Sequence, residues 1–357
     1  MPSSDTKGWR TGRLSLGFAA QSRAARCGSA PHRRDVRPRY DGNRRRPGSR
    51  RLTTDIAHSA SLELPFKAPF DWPRLLRFFK GRATPGVEAV EDGAYRRAID
   101  WAGDAGTLTV RLHPRKRCIV ATIDGAASRH ADALAAPIAR MFDLHANPKA
   151  IGAHFAEDPW LAQLFDAAPG LRVPGAWSGF ELVVRAIVGQ QVSVKAATTI
   201  IGRLVQRAGE RIDDHPHEHT AWRFPTPAAL AAVDLAKIGM PGKRVAALQG
   251  FAQAVASGDV PLDNDTVDAT ALRAALLALP GIGPWTVEYV AMRAWRDMDA
   301  WPASDLVLMQ SIAARHPSLV RPTQQRARTD AWRPWRAYAA MHLWNEIADR
   351  AGAARGG

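Results

Sequence analysis

The chain has 357 residues, 46% hydrophobic and 23% charged, an ordinary balance for a globular protein with room for two or three domains. No run of about 18 apolar residues occurs, which excludes a transmembrane helix. Its two cysteines, Cys27 and Cys118, are too few for a disulfide framework, a four-cysteine zinc site or a cysteine-ligated iron–sulfur cluster. The formal net charge of +15 suggests a polyanionic partner.

Residues 1–60 hold 13 Arg and one Lys against four Asp, so two thirds of the net charge lies in this tail. The stretch carries Arg33-Arg34, Arg44-Arg45-Arg46 and Arg50-Arg51 without sustained apolar periodicity, and is expected to be disordered. It reads as a nonspecific nucleic-acid arm, a transit peptide, or an extension from a misassigned start, the last being the expected one. Over eight residues (16–23, LGFAAQSR) it faintly resembles the second helix-turn-helix of AraC-type regulators.

From about Leu62 the composition becomes globular. Asp71 before Trp72-Pro73 predicts an N-capped helix. The alternation of Thr107-Leu108-Thr109-Val110-Arg111-Leu112 and the run 118–123 (CIVATI) predict two strands. A helix is expected over 131–144. Beyond about residue 150, helical periods take over at 180–189, 194–208, 227–233, 243–257, 269–279, 285–296, 305–315 and 335–350, with Thr226-Pro227 starting one and Gly258 ending another. The expected division is an Arg-rich tail (1–60), an α+β domain with a small antiparallel sheet and flanking helices (61–147), and an all-helical region (148–357). The last splits into 180–297 and a second part made of 148–179 plus 298–357.

Within the helical region, Pro280-Gly281-Ile282-Gly283 separates an apolar helix from one beginning near Pro284. Glycines permit positive φ and close backbone approach, and free amides at the second helix's start suit a phosphate. Asp305 follows 22 residues after Gly283, at a predicted helix N-terminus. Taken alone, the hairpin also reads as a plain αα-hairpin, Asp305 as a simple N-cap, and Trp285 with Tyr289 as core packing at i, i+4. The tract 213–219 (DDHPHEH) looks metal-binding but reads as a solvated loop, and Lys195, Lys243 and Arg244 as surface charges within reach of phosphates.

The hairpin, the spacing and Asp305, together with 183–193 (VVRAIVGQQVS), 332–338 (WRPWRAY), 341–344 (MHLW), 70–72 (FDW) and 142–144 (FDL), resemble the HhH-GPD superfamily of DNA glycosylases. They are similar in particular to its DNA-3-methyladenine glycosylase II family, over roughly residues 64–350. The resemblance implies an HhH-GPD glycosylase body with Asp305 as the catalytic carboxylate. Trp285, Tyr289, Trp344 and Phe78 then line a base pocket, and Gly281, Ile282, Gly283 and Thr286 contact DNA. Gln191 falls where the family places the wedge that enters the gap left by a flipped nucleotide. The carbonyls of Leu277, Leu279 and Ile282 match a site for a structural Na+ or K+; no other cofactor is expected.

The implied partner is double-stranded DNA containing alkylated bases, with no membrane contact, and a bacterial, cytoplasmic, nucleoid-associated monomer is expected. Electron-rich rings attract a cationic alkylated base, at about 0.5–2 kcal/mol per contact, and an ionised carboxylate stabilises the oxocarbenium-like sugar as the base departs. Family members that also nick the strand place a lysine just after the hairpin; Trp285 stands there, so a monofunctional enzyme is implied. The alternatives are a non-catalytic hairpin protein and a glycosylase for another lesion, such as deaminated purines or 1-methyladenine.

Overall fold

The computed structural model describes residues 59–356 except 213–217, 263–267 and 320. The expected disorder of residues 1–58, and most of the 213–219 tract, lie outside the described residues. Five antiparallel strands form one sheet in the order β1-β5-β4-β3-β2: β1 (Ser59–Pro65), β2 (Glu88–Glu91), β3 (Ala94–Trp101), β4 (Asp104–Leu112) and β5 (Cys118–Gly125). The two expected strands are the β4–β5 pair, in a register that sets Leu108 opposite Ile123 and Val110 opposite Ala121. These four side chains are fully buried. Cys118 is buried on β5, where burial pushes its thiol up.

Two helices cover the sheet. In α1 (Trp72–Lys80), Asp71 Oδ1 caps the Arg74 amide at 3.0 Å and proline stands in the first turn, as the sequence predicted. The second, α2 (Ala131–Met141), follows β5. Trp72, Leu75 and Phe79 from α1 and Leu134 and Ile138 from α2 close a sheet core with Tyr95, Ile99 and Leu108.

The rest is helical apart from a two-residue ribbon, β6 (Glu210–Arg211) with β7 (Trp222–Arg223). Its helices are α3 (Pro148–Phe155), α4 (Pro159–Ala167), α5 (Gly179–Gly189), α6 (Val194–Ala208), α7 (Pro227–Ala232), α8 (Gly242–Ala256), α9 (Ala269–Leu277), α10 (Pro284–Arg293), α11 (Leu306–Arg315), α12 (Pro322–Asp330) and α13 (Arg336–Gly356). All eight expected helices occur, and Thr226 and Gly258 act where predicted, as N-cap and left-handed stop. Two apolar cores organise them. A central core joins α5, α6, α8, α9 and α10, and an outer core joins α3, α4, α11 and α13.

An ion network ties sheet to helices. Arg97 on β3 (3% exposed) pairs with Glu181 on α5 (4% exposed) at 2.9 Å. Arg185, one turn along α5, reaches Glu181 at 3.2 Å and Glu88 at 2.8 Å. Glu88 also accepts the Tyr95 hydroxyl at 2.6 Å and the Thr84 amide at 3.0 Å. Burial alone would raise the Glu88 carboxyl, but Arg185, Arg97 and these hydrogen bonds hold it down at about 2.

His342 sits in the outer core, 2% exposed, its ring centre 5.8 Å from that of Phe155 and 5.7 Å from that of Phe165. Its buried Nδ1 has no hydrogen-bond partner among the described residues. Burial lowers its pKa from 6.5 to about 4, so the folded state binds this proton less readily than the unfolded chain. Stability is therefore complete above pH 6.5, falls as pH drops toward 4, and levels off below, a loss of about 3 kcal/mol from this group. Urea midpoints measured at pH 7 and pH 4.5 should show this drop, and His342→Leu should shrink it; an unchanged pH dependence in that variant would refute the assignment.

Candidate active site

The helix α9 ends at Leu277, and the chain reverses through Pro280–Gly283 into α10. Gly281 has φ 82°, and a Cβ there would stand 2.7 Å from the Ala247 side chain, so a larger residue is excluded twice over. Gly283 departs from the expected positive φ: at φ −106°, ψ 173° it is extended, with open space around its missing Cβ. Its bareness leaves the start of α10 uncovered. No side chain caps that helix, and Pro284 occupies its first turn. The unpaired first-turn amides and the positive helix end are suited to an anion.

Two neighbours expected to touch DNA have buried side chains. Ile282 is 5% exposed in the central core and its amide is spent on the Leu279 carbonyl at 3.2 Å. Thr286 is 2% exposed, so its side chain offers nothing to a phosphate. Leu277, Leu279 and Ile282 lie at and just beyond the end of α9, and neutral carbonyl oxygens at the negative end of a helix are a donor type that suits a monovalent cation, although the Leu279 carbonyl already accepts the Ile282 amide at 3.2 Å.

The turn between α5 and α6 lies against this hairpin. Gln190 Nε2 donates to the Gly281 carbonyl at 2.9 Å. Gln191 is exposed and left-handed at φ 57°, projecting beside Val192 and Val194, which are 37% and 49% exposed. Lys195 and Lys243 are also exposed, in the first turns of α6 and α8.

Asp305 stands at the N-terminus of α11 and does two things at once. Its Oδ1 caps the helix through the Leu308 amide at 3.0 Å and also accepts Trp344 Nε1 at 3.1 Å; Oδ2 accepts Trp285 Nε1 at 2.9 Å. The N-cap expectation and the pocket expectation thus describe one side chain. Its two oxygens accept from three N–H donors, a set that a carboxylate can satisfy with acceptors alone. It remains half-buried, with a rim formed by Leu306 (66% exposed) and Val307 (36%).

The rings gather around it. Trp285 and Tyr289, one turn apart on α10, stack on each other with centroids 4.9 Å apart and planes at 12°, so together they make one wall. Trp344 on α13 meets Tyr289 edge-on at 6.3 Å. Phe78 on α1 stands apart from this group and joins it through arginines: Arg82 lies over its ring at 4.0 Å and Arg293 at 4.8 Å. Tyr289 packs against both the central and the outer core, and Phe78 against both the outer core and the sheet core.

Sequence reasoning missed Gln190 and Arg293. Gln190 carries no local signal, because its partner lies 91 residues away. Arg293 was readable from spacing, since 285, 289 and 293 fall on one helix face. Burial would push the Tyr289 hydroxyl up, but the cations of Arg293, Arg82 and Arg185 outweigh it and bring it below its ordinary value. Among the described residues no cluster of His, Cys, Asp and Glu suits a metal ion, and no helix is long and apolar enough to cross a membrane.

Residues 61–178 match the family profile of the AlkA N-terminal domain, and residues 184–337 that of the HhH-GPD superfamily base excision DNA repair protein. The chain is 38% identical over 298 residues to a Mycobacterium tuberculosis protein described as a bifunctional transcriptional activator and DNA repair enzyme. That match takes in 82% of this chain but spans only 58% of the relative. With DNA-3-methyladenine glycosylase 2 of Escherichia coli (strain K12) it shares 36% identity over 284 residues, 79% of this chain and 95% of that protein. A 3-methyladenine DNA-glycosylase structure from Archaeoglobus fulgidus superposes with a TM-score of 0.69 at 21% identity, over 82% of this chain and 98% of the other, a likeness of fold.

Proposed function

The chain belongs to the HhH-GPD superfamily of base excision DNA repair proteins, in its DNA-3-methyladenine glycosylase II family, and from that premise we propose that it is a monofunctional DNA glycosylase removing alkylated bases from duplex DNA. The observation that carries this reading is Asp305, held by two indole N–H groups beside a stacked aromatic wall and within one turn of chain from open solvent.

The proposed sequence of events follows from these groups. The uncapped start of α10, reached past Gly283, grips a phosphate next to the lesion. The lesion cannot be attacked inside the stack, so the nucleotide is extruded, and Gln191 on its exposed left-handed turn fills the gap. The freed base, 3-methyladenine or 7-methylguanine, stacks on the open side of the Trp285–Tyr289 pair, where a cationic ring gains most from an indole face. Positive charge then develops on the sugar, and Asp305 stabilises it while orienting the attacking water. Trp285 occupies the place just after the hairpin and carries no amine, so no Schiff base forms and an abasic site remains. A Na+ or K+ held by the carbonyls of Leu277, Leu279 and Ile282 would brace the hairpin. The protein acts as a monomer on chromosomal DNA in the cytoplasm, in two parts divided near residue 148.

Full-length protein incubated with methylated duplex DNA should liberate 3-methyladenine and 7-methylguanine, leaving strands that break only after alkali. Duplexes with hypoxanthine or 8-oxoguanine run alongside. Release confined to one of those would change the lesion, and no release from any duplex would reduce the protein to a non-catalytic DNA clamp.

A further inference from the structure

Arg293 is 5% exposed at the inner end of the aromatic group. Its Nη1 donates to the Tyr289 hydroxyl at 2.6 Å, while Nε and Nη2 donate to the carbonyls of Pro174 at 2.8 Å and Gly175 at 3.1 Å. The guanidinium carbon lies 4.8 Å from the centre of Phe78 and 5.1 Å from that of Tyr289. One group thus fixes a ring from the helical body, a ring from the sheet domain and the segment between them. Buried arginines ordinarily face a carboxylate. Among the described residues no carboxylate pairs with Arg293 or with Arg82; after the Tyr289 hydroxyl, the groups that Arg293 feels most are the neighbouring cations Arg185 and Arg82, and of these only Arg185 is neutralised, by Glu88 and Glu181.

We propose that Arg293 is a positioning residue that sets the pocket's preference between neutral and cationic bases, an inference that rests on the glycosylase reading. A guanidinium cannot shed its proton in a protein, so this end of the pocket is permanently positive. Held on neutral acceptors, the charge is unspent. It repels a positively charged ring pushed against Tyr289 and attracts a carbonyl oxygen or ring nitrogen lone pair placed there. A cationic base therefore docks with its charge turned toward Asp305, and a neutral oxopurine loses less by entering than it would in a pocket with no cation. The fork geometry places Tyr289, and the charge sets the selectivity; these two contributions come apart in different variants.

The test is single-turnover release of 7-methylguanine and of hypoxanthine from otherwise identical duplexes by the full chain. Arg293→Met, which removes the charge and keeps the bulk, should raise the ratio of cationic to neutral excision by roughly tenfold. Arg293→Lys keeps the charge and loses the fork, so both rates should fall with the ratio unchanged. Equal loss of both activities in Arg293→Met would overturn the proposal and leave the residue a structural prop. Should that variant fail a thermal-unfolding check, the half-buried Arg82→Met decides: the ratio must move the same way by a smaller factor, and a fixed ratio overturns the idea. Wild-type protein that releases neither base would instead overturn the glycosylase reading itself.

Discussion

Asp305→Asn should release no measurable methylated base, a loss of at least about 10²–10³-fold, while the protein folds and grips DNA as before. The substitution removes charge and little else. Asparagine is as good an N-cap as aspartate, so the Leu308 amide keeps its acceptor and α11 keeps its start. One change is forced at the site: with the oxygen kept on the Leu308 amide and Trp344, the new amide NH2 must face the indole N–H of Trp285, donor against donor. That contact is a local adjustment at a half-buried position. The informative comparison sets base release beside thermal midpoint and affinity for a duplex holding an abasic-site analogue. Unaltered midpoint and affinity with vanished release locate the defect in charge; residual release within tenfold of the wild type would remove Asp305 from the reaction.

Glu181→Ala should destabilise the fold by about 3–5 kcal/mol, because it removes the 2.9 Å partner of Arg97 in the interior between sheet and helix and leaves that guanidinium only Glu88 at 4.0 Å. Arg185 retains Glu88, so the damage centres on one guanidinium. Replacing both partners with apolar residues, as in Arg97→Met with Glu181→Leu, should recover most of the loss, since the pair's cost of desolvation disappears with it. Urea denaturation of the two single variants and the double variant measures both effects. A double variant no better than Glu181→Ala would show that shape, not charge, holds this junction.

The same pair explains what was hard to read from the letters. Strand β4 alternates cleanly because one face is apolar core, but β3 (AYRRAIDW) sends Arg97 inward to meet Glu181, and a buried charge looks like a break in the pattern. Strand β1 opens at Ser59, two residues before the expected domain start, and pairs with β5 along its length. Helices α3 and α4 have legible starts in Asn147-Pro148 and Asp158-Pro159, but eight or nine residues give too few turns for a periodic signal. Helix α12 (PTQQRARTD) has no apolar face at all. By contrast α6 was delimited to the residue, because Ser193 caps it and Gly209 follows it.

At the site, the residues readable in advance were those whose chemistry is local. Gly281 announces a left-handed turn, and Asp305 a helix start. Thr286 and Ile282 belonged to the same motif, yet burial turns both inward, which spacing within a hairpin does not reveal. Gln190 acts through the distant Gly281 carbonyl, a partner with no signature in the neighbouring sequence, whereas Arg293, though it reaches the carbonyl of Pro174, was legible from its place one turn beyond Tyr289.

Tyr289 and Phe78 are each wedged between two of the three apolar cores, so neither ring is the property of a single domain. Under the proposed glycosylase reading, the space between the two rings is governed by how whole blocks of the molecule settle against one another. Laboratory selection for a bulkier or slimmer lesion should therefore harvest substitutions deep in those blocks, far from any nucleotide, as readily as replacements of the rings themselves.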